Sequence, residues 1–494
     1  MTSAAAGRGS TTSVTRPEPG RRPGGRLWFW VAVAHIAVFL AGLGYWMFQV
    51  EIPYIDSFRG LDYVLRRSWL GLLTDYFHGT AEYRPIYFTM LKAVLAVGGP
   101  SVTWIRLVQM ALVALYCWTF FRLVQPSDAA GHVGFATGFG CLTGLHTARF
   151  TVSGEPLLSG WSLIVGLLVF TTLSAMHRRS SLGLNVAAVA LTVAGVFMVE
   201  VGVVVGFIWI AAGLLRWGGA TRRTAALATA ALAGYVAIRL FTNQSPVPGP
   251  FYTDSGFGFD ELTVGEQRER FGAHPWVLHL YNMTTGPLSV LLSEPRDGVY
   301  VGARALVRGE TMYPWQVVNW TSSIASTALL GWWLVRAGLM EHRTRRLATC
   351  TGIVFLTTGL LDYLYARDRI AGVAGACYAL LLAHACRYWW ERAQGIRMPP
   401  VRAACSIALV ALACTWTVRS FDTVVLARDL TLETKREWTD RFHEITTPPY
   451  AGAPPDDERT DALRERLHQR AIDRQLPDLA RDPPWLAAWF ERQE

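Results

Sequence analysis

Charged residues are scarce in this sequence. They make up 17% of its 494 residues, whereas hydrophobic residues make up 51%, and a typical soluble domain carries about 25% charged residues. Paired cysteines are also missing, because none of the seven cysteines forms a CxxC motif or a Cys/His cluster. These absences exclude an ordinary soluble chain, a disulfide framework and a zinc site. The long apolar runs that remain indicate a multi-spanning membrane protein.

The formal net charge of +9 has two interpretations. A nucleic-acid-binding protein would need a basic segment interleaved with aromatic residues, but the arginines here are spread along the whole chain. In a membrane protein, arginines instead concentrate in the cytoplasmic loops. We therefore expect contact with membrane lipids and no nucleic-acid partner, and we assign no residue as a metal ligand.

Three regions of the chain differ in composition. Residues 1–26 are rich in Gly, Pro, Ser and Thr, which predicts a disordered cytoplasmic N-terminus. Residues 27–419 contain the apolar runs and form the predicted membrane domain. Residues 420–494 are charged and rich in proline, and we expect them to form a tail on the outer face of the cell membrane.

Eleven apolar runs approach the roughly 20 residues that a helix needs to cross a bilayer. We split the long run 184–217 at Glu200, because this division puts nearly all of the short arginine-rich loops on one side, as the positive-inside rule requires. The prediction is an all-α integral membrane protein with about eleven transmembrane helices and a cytoplasmic N-terminus. The runs are 27–49, 104–125, 131–148, 156–176, 184–199, 201–217, 223–242, 315–336, 346–364, 370–388 and 401–418.

Two long segments, 50–103 and 243–314, then lie on the outer face. In the first, apolar residues recur at helical spacing over 61–77, which predicts one amphipathic helix lying along the membrane surface. Residues 85–98 are too short to cross the bilayer comfortably and are predicted to form another outer-face element. In the second segment, the pattern over 275–293 favours a further interfacial helix.

Asp56 lies between the first apolar run and the predicted interfacial helix, at the height of the lipid headgroups. A carboxylate at this height can take the proton of an acceptor hydroxyl while a lipid-linked donor presents its phosphate from the bilayer. The planar fork of arginine suits such a phosphate. The arginines predicted near outer ends of the apolar runs are Arg84, Arg106, Arg149, Arg239, Arg367 and Arg369.

Five segments carry a resemblance to a known family. They are "EYRPIYF" (82–88), "GLHTARFTVSGEPLLSGW" (144–161), "VFMVEVGVVVGFIW" (196–209), "YVAIRL" (235–240) and "YARDRIAGVAG" (365–375). Their order, after an acid that follows the first apolar run, resembles the glycosyltransferases of the GT-C fold that use polyprenyl-phosphate sugars. The likeness is closer to the protein O-mannosyltransferase and TMTC-like branch. The chain departs from that pattern in having a single Asp56 where the family often has two adjacent acids.

The resemblance implies a membrane enzyme, a glycosyltransferase that moves a sugar from a polyprenyl-phosphate carrier to an acceptor on the outer face. The acceptor is a glycan, a lipid or a protein. The resemblance implies Asp56 as general base and a donor-phosphate site formed by Arg84, Arg106, Arg367 and Arg369. It leaves a divalent cation open and gives no other cofactor. The residues implied in substrate binding or support are Glu82, Tyr83, His146, Arg149, Glu155, Glu200 and Arg239.

Simpler roles stay open for several of these residues. Asp56 and Glu155 could cap helices, and arginines at the ends of spans could reach lipid headgroups. Glu200 could form an outer turn, although an acid inside an apolar stretch is costly to bury and is usually functional. Two other functions stay open as well: a flippase or transporter of lipid-linked sugars, which needs phosphate-binding arginines and no base, and a non-catalytic membrane partner of the same fold.

Overall fold

The protein is described here from a computed structural model. The structure describes residues 25–49, 64–74, 84–99, 101–147, 161–176, 181–242, 255–257, 260–272, 274, 276–294, 298–338, 342–361, 370–440 and 458–473.

Helices make up nearly all of this described chain. In the first half they are α1 (Gly25–Met47), α2 (Trp69–Thr74), α3 (Pro85–Gly98), α4 (Val102–Val124), α5 (Ala129–Gly144), α6 (Trp161–Ala175), α7 (Ser181–Met198), α8 (Val203–Leu214) and α9 (Arg222–Thr242). In the second half they are α10 (Val264–Phe271), α11 (Trp276–Leu291), α12 (Val299–Arg308), α13 (Pro314–Trp333), α14 (His342–Leu361), α15 (Gly372–Gln394), α16 (Pro399–Asp440) and α17 (Glu458–Asp473). A short antiparallel hairpin joins β1 (Ser255–Phe257) to β2 (Asp260–Leu262).

The described helices fit an all-α membrane protein. Each of the eleven apolar runs overlaps one of the described helices. Within the described residues, three helical stretches are both long and apolar enough to cross a membrane: Arg26–Met47, Val102–Val124 and Pro399–Thr431. Four further apolar helices are shorter than a full crossing: Pro85–Gly98, Ser162–Ala175, Leu182–Met198 and Glu200–Leu214.

Helix α15 forms the centre of the core, since nearly every residue between Gly372 and Cys386 is buried. Helix α5 packs against it and also against α16. Two glycines of α5 explain how this helix packs closely against both neighbours, because glycines let helix backbones approach each other. Gly138 faces α15, where an added Cβ would lie 2.6 Å from the side chain of Ala383, and Gly144 faces α16 in the same close manner.

The predicted break of the 184–217 run at Glu200 is confirmed. Helix α7 ends at Met198, a 3₁₀ turn covers Glu200–Gly202, and α8 starts at the next residue. The turn is tight, because a Cβ on Gly202 would lie 1.9 Å from the carbonyl oxygen of Gly195. Only a residue without a side chain fits this approach, so Gly202 allows the backbone to place Glu200 at the end of two helices.

The prediction of one continuous helix over 61–77 is wrong across the described part, 64–74. A turn of helix ends before Ser68, and the separate α2 begins after it. The Ser68 hydroxyl caps α2 by accepting a hydrogen bond of 2.9 Å from the Gly71 amide. The Lys92 ammonium on α3 donates to two carbonyl oxygens of the preceding turn. Side-chain hydrogen bonds from a neighbouring helix therefore end the first turn.

A small second cluster joins the first loop to the C-terminal region. Trp438 at the end of α16 and Leu467 of α17 are buried against Val64 and Leu91. The His468 ring lies 2.8 Å from the Trp438 carbonyl oxygen and fixes α17 on α16. Helix α17 of the charged tail therefore docks on the body of the protein.

Helix α16 is the longest in the described chain and contains 42 residues. Its apolar part reaches Thr431, whose hydroxyl lies 3.4 Å from the carbonyl oxygen of Trp46 near the end of α1. The predicted boundary between the membrane domain and the tail, at residues 419 and 420, lies inside this helix.

Candidate functional site

Glu200 is the centre of the candidate site. It opens the 3₁₀ turn between α7 and α8, and the residue before it is in extended conformation. An acid in the middle of an apolar run thus lies at a helix end, where its side chain stays 30% exposed. The helix break removes the cost of burying this carboxylate within a continuous apolar helix.

Two arginines from distant parts of the chain bind this carboxylate. Nη2 of Arg84 lies 3.2 Å from Oε2 of Glu200, and Nη2 of Arg239 lies 3.5 Å from Oε1. Arg84 immediately precedes α3, and Arg239 lies in the last turn of α9. The ends of three elements therefore meet at one place, which we call the arginine–glutamate site (Arg84, Glu200 and Arg239).

The charges of the arginine–glutamate site do not cancel. Two guanidinium groups and one carboxylate leave a net charge of +1 on these three residues. Each carboxylate oxygen faces a different guanidinium, so Glu200 holds the arginines at a fixed separation. The planar fork of a guanidinium matches carboxylate and phosphate oxygens, so two arginines at one place are the residue type that suits an anion with several oxygens, such as a phosphate.

Arg106 and His146 are both buried, and neither is one of the three residues of the arginine–glutamate site. Arg106 lies in the second turn of α4, and its Nη1 donates a hydrogen bond of 2.9 Å to Oε1 of Gln109, one turn along the same helix. His146 follows the end of α5 and is also buried. In the part of the chain that the structure describes, neither residue forms an ion pair with Glu200.

Seven of the predicted site residues lie outside the described residues. The placement of the general base and of two phosphate-binding arginines therefore stays a prediction. These residues are Asp56, Glu82, Tyr83, Arg149, Glu155, Arg367 and Arg369.

Arg419 is a buried cation that the sequence reasoning missed. It lies on α16 inside the apolar stretch that reaches Thr431 and is 4% exposed. Its guanidinium donates hydrogen bonds of 2.9 to 3.1 Å to the hydroxyls of Ser322 and Ser323 on α13 and Ser293 after α11. The guanidinium carbon also lies 4.2 Å from the centre of the Trp416 ring, within cation–π distance.

The sequence does contain a pattern that indicates a special role for Arg419. The apolar run was ended at residue 418, one position before this arginine, although apolar residues continue beyond it. An arginine inside a membrane span marks a functional site by default, since its burial is costly. The end of α5 packs here too, because a Cβ on Gly144 would lie 2.4 Å from the backbone of Arg419.

The opposite end of the helices carries a different charge pattern. Asp128 caps α5 by accepting a hydrogen bond from the Gly131 amide and lies 3.4 Å from Nη2 of Arg387 on α15. Arg387 also binds Glu391 one turn later, at 3.1 Å. Among the described residues, no group of three or more His, Cys, Asp or Glu side chains could hold a metal ion.

Comparison of the chain with protein-family models, with curated proteins and with solved structures finds no match. The class that the fold and the site define is therefore a helical protein with membrane-type helices, which gathers two arginines around one carboxylate at a common helix end. Any narrower assignment rests on the residues and their geometry.

Proposed function

We propose that this protein is a membrane glycosyltransferase of the GT-C type. It transfers a sugar from a polyprenyl-phosphate carrier to a glycan, lipid or protein acceptor on the outer face of the cell membrane. The observation that carries the proposal is the arginine–glutamate site. Arg84 and Arg239 come from different elements, and Glu200 holds both in place to bind the phosphate of a lipid-linked donor.

The proposed topology has eleven spans, with the arginine–glutamate site on the outer face. Support comes from the charges at the other end of the helices, where Arg387 pairs with Asp128 and further arginines such as Arg122, Arg216 and Arg222 lie near helix ends. Positive loops of this kind stay in the cytoplasm. The N-terminus is then cytoplasmic, and the C-terminal tail is on the outer side.

The proposed reaction is a substitution at the anomeric carbon of the donor sugar. Asp56 takes the proton of the acceptor hydroxyl as that oxygen forms a bond to the anomeric carbon. The bond from this carbon to the phosphate oxygen breaks, and polyprenyl phosphate leaves with the electron pair. Arg84 and Arg239, with Arg106, Arg367 and Arg369, stabilise the charge that develops on the leaving phosphate.

The test measures release of the sugar from each member of a defined panel of donors. Purified protein in detergent is mixed with radiolabelled polyprenyl-phosphate monosaccharides, with and without EDTA, and release of the sugar to water or to added membrane lipids is measured. Wild type and Asp62→Asn, a control in the same loop, should turn over one donor, whereas Asp56→Asn should lose at least 100-fold in rate. Equal turnover by Asp56→Asn would exclude Asp56 as the general base. No turnover by wild type would contradict the proposed transferase function.

A second candidate function is a flippase for lipid-linked sugars. Arg419 favours it, because an arginine buried inside a span is costly and usually functional, and a flippase needs cations along the path of the lipid phosphate. A flippase needs no base, so Asp56→Asn would keep its activity. Protein reconstituted in sealed vesicles separates the two functions: a flippase moves the labelled donor between leaflets without cleaving it, and a transferase cleaves it.

A further inference from the structure

Two tryptophans from different helices are in contact near one end of the helical body. The ring centroids of Trp332 on α13 and Trp389 on α15 are 4.1 Å apart, with an angle of 32° between the ring planes. The indole N–H of Trp389 also donates a hydrogen bond of 3.3 Å to the carbonyl oxygen of Leu329 on α13. Trp332 is nevertheless 56% exposed. The pair therefore joins the two helix ends and presents an aromatic surface to the surroundings.

An arginine follows each of these tryptophans toward the end of its helix. Arg392 lies three residues after Trp389, and Arg336 lies four residues after Trp332. Residues three or four apart are neighbours along a helix. Both arginines are exposed, and among the described residues neither forms an ion pair. We call these four residues the tryptophan–arginine face (Trp332, Arg336, Trp389 and Arg392).

The Arg392 guanidinium is oriented by an uncharged partner. Its Nε donates a hydrogen bond of 3.1 Å to the Tyr388 hydroxyl, and its central carbon lies 5.5 Å from the centre of the Tyr388 ring. Glu391, the adjacent acid in the sequence, is bound by Arg387 instead, at 3.1 Å. The positive charge of Arg392 is therefore directed by an aromatic side chain and is not compensated by this neighbouring carboxylate.

Arg336 lies in an unusual turn. Helix α13 ends at Trp333 and continues as a π-helical turn over Leu334–Gly338. Such turns are rare and occur frequently at functional sites. Val335, beside Arg336, is 82% exposed. The turn thus places an apolar side chain and a cation next to each other at the surface, a combination that suits the boundary between acyl chains and lipid headgroups.

The partner that complements this face is an anionic phospholipid. Tryptophan rings are enriched at the level of lipid headgroups, and the planar fork of a guanidinium matches phosphate oxygens. The face carries two positive charges and no acid of its own, so it attracts a headgroup with a net negative charge. A zwitterionic phospholipid also brings a cation to the face, and its net electrostatic attraction is weaker.

We propose that the tryptophan–arginine face binds one anionic phospholipid in the leaflet at this end of the helices, which is the cytoplasmic leaflet in the proposed topology. The two arginines contact the lipid phosphate, and the tryptophan rings contact the glycerol and the upper part of an acyl chain. The inference goes beyond the proposed function and does not depend on it, because the lipid is bound whether or not a sugar is transferred.

The test counts the lipids that stay bound to the full chain in detergent, by native mass spectrometry. Phosphatidylglycerol and phosphatidylcholine with the same acyl chains are titrated separately. Wild type should bind its first phosphatidylglycerol about tenfold more tightly than phosphatidylcholine, and Arg336→Gln combined with Arg392→Gln should lose this preference. Arg397→Gln combined with Arg402→Gln is the matched control. It removes the same charge from exposed positions between α15 and α16 and should keep the preference.

Three results would overturn the proposal. Equal binding of the two lipids by wild type would exclude a preference for a negative headgroup. A similar loss in the control pair would mean that affinity follows the total charge at this end of the helices. A dimer that forms without lipid and disappears in Trp332→Leu would assign the face to a second copy of the chain.

Melting temperatures in detergent without added lipid check that the variants are folded. Because both arginines are exposed, the double variant should melt close to wild type. If it unfolds instead, Arg392→Lys provides the second comparison, since it keeps the charge and loses the planar fork. This variant should bind phosphatidylglycerol about threefold more weakly than wild type, and unchanged binding would overturn the role of Arg392.

Discussion

Arg84 donates a hydrogen bond of 3.2 Å to Glu200 across 116 positions of sequence. This contact joins the start of α3, in the first predicted outer segment, to the turn between two helices of the membrane domain. Arg239 completes the arrangement from the end of α9. The Glu200 carboxylate therefore adds a polar connection between the segment that follows Asp56 and the helical body, and its removal should affect both stability and donor binding.

Glu200→Gln should weaken this connection while keeping the size of the side chain. The two guanidinium groups would face a neutral amide, and we expect a loss of about 1 kcal/mol in the free energy of unfolding, with weaker donor binding. Chemical denaturation in detergent measures the first effect. Glu310→Gln is the matched control, because its pair with Arg308 is more than half exposed and should contribute almost nothing. Equal losses in both variants would contradict the prediction.

Stability of the helix α10 should depend on pH through Glu266. The Thr263 amide and hydroxyl donate hydrogen bonds to this carboxylate, which lowers the pKa of Glu266 below its ordinary value. Because the folded pKa is the lower one, the stabilisation is present above the unfolded value of about 4.3 and is lost as the pH falls through the folded value. Hydrogen exchange of α10 amides, corrected for intrinsic rates, should therefore quicken at pH 3 relative to pH 6. Glu266→Gln removes the titrating carboxylate and should remove this difference, and a difference that persists in this variant would assign it to another group.

Some of this architecture could be predicted from local sequence. The break at Glu200 follows from one acid in an apolar run, because a carboxylate is too costly to bury in a continuous span. The positions of the helices follow from apolar runs of sufficient length. In both cases a single local property decides the structure.

Other features depend on contacts that no local pattern reveals. Periodicity over 61–77 fits one helix, but Lys92 from another helix takes the carbonyl groups that would continue it. Arg419 was missed because its burial is made tolerable by serines from α13 and by Ser293. Partners distant in sequence determine each of these outcomes.

Close packing of α5 against α15 should make Gly138 intolerant of a side chain. In Gly138→Ala the new methyl group would lie 2.8 Å from the Ala379 carbonyl oxygen and 2.6 Å from Ala383, so the helices must separate. We expect a loss of about 1–3 kcal/mol in the free energy of unfolding. Gly331→Ala, also within a helix, meets nothing within 4 Å and should be neutral or slightly stabilising. Similar effects of the two changes would argue against backbone contact at Gly138.

Arg419 should stabilise the junction of α11, α13 and α16 through the geometry of its guanidinium group. Lysine keeps the charge but cannot reach three hydroxyls in fixed directions, so Arg419→Lys should cost about 2 kcal/mol of unfolding free energy. Arg402→Lys, at an exposed position near the start of the same helix, is the control and should change little.

A double-mutant cycle separates this geometry from a general effect on α16. Ser322→Ala with Ser323→Ala removes two of the hydroxyl partners, and combining this change with Arg419→Lys should cost less than the sum of the separate losses, because the same hydrogen bonds are lost in each. Additive losses would mean that Arg419 and the serines act independently. In that case the cation–π contact with Trp416 would be its main support. Trp416→Leu would then lower stability far more than the serine changes do, which unfolding in detergent would measure directly.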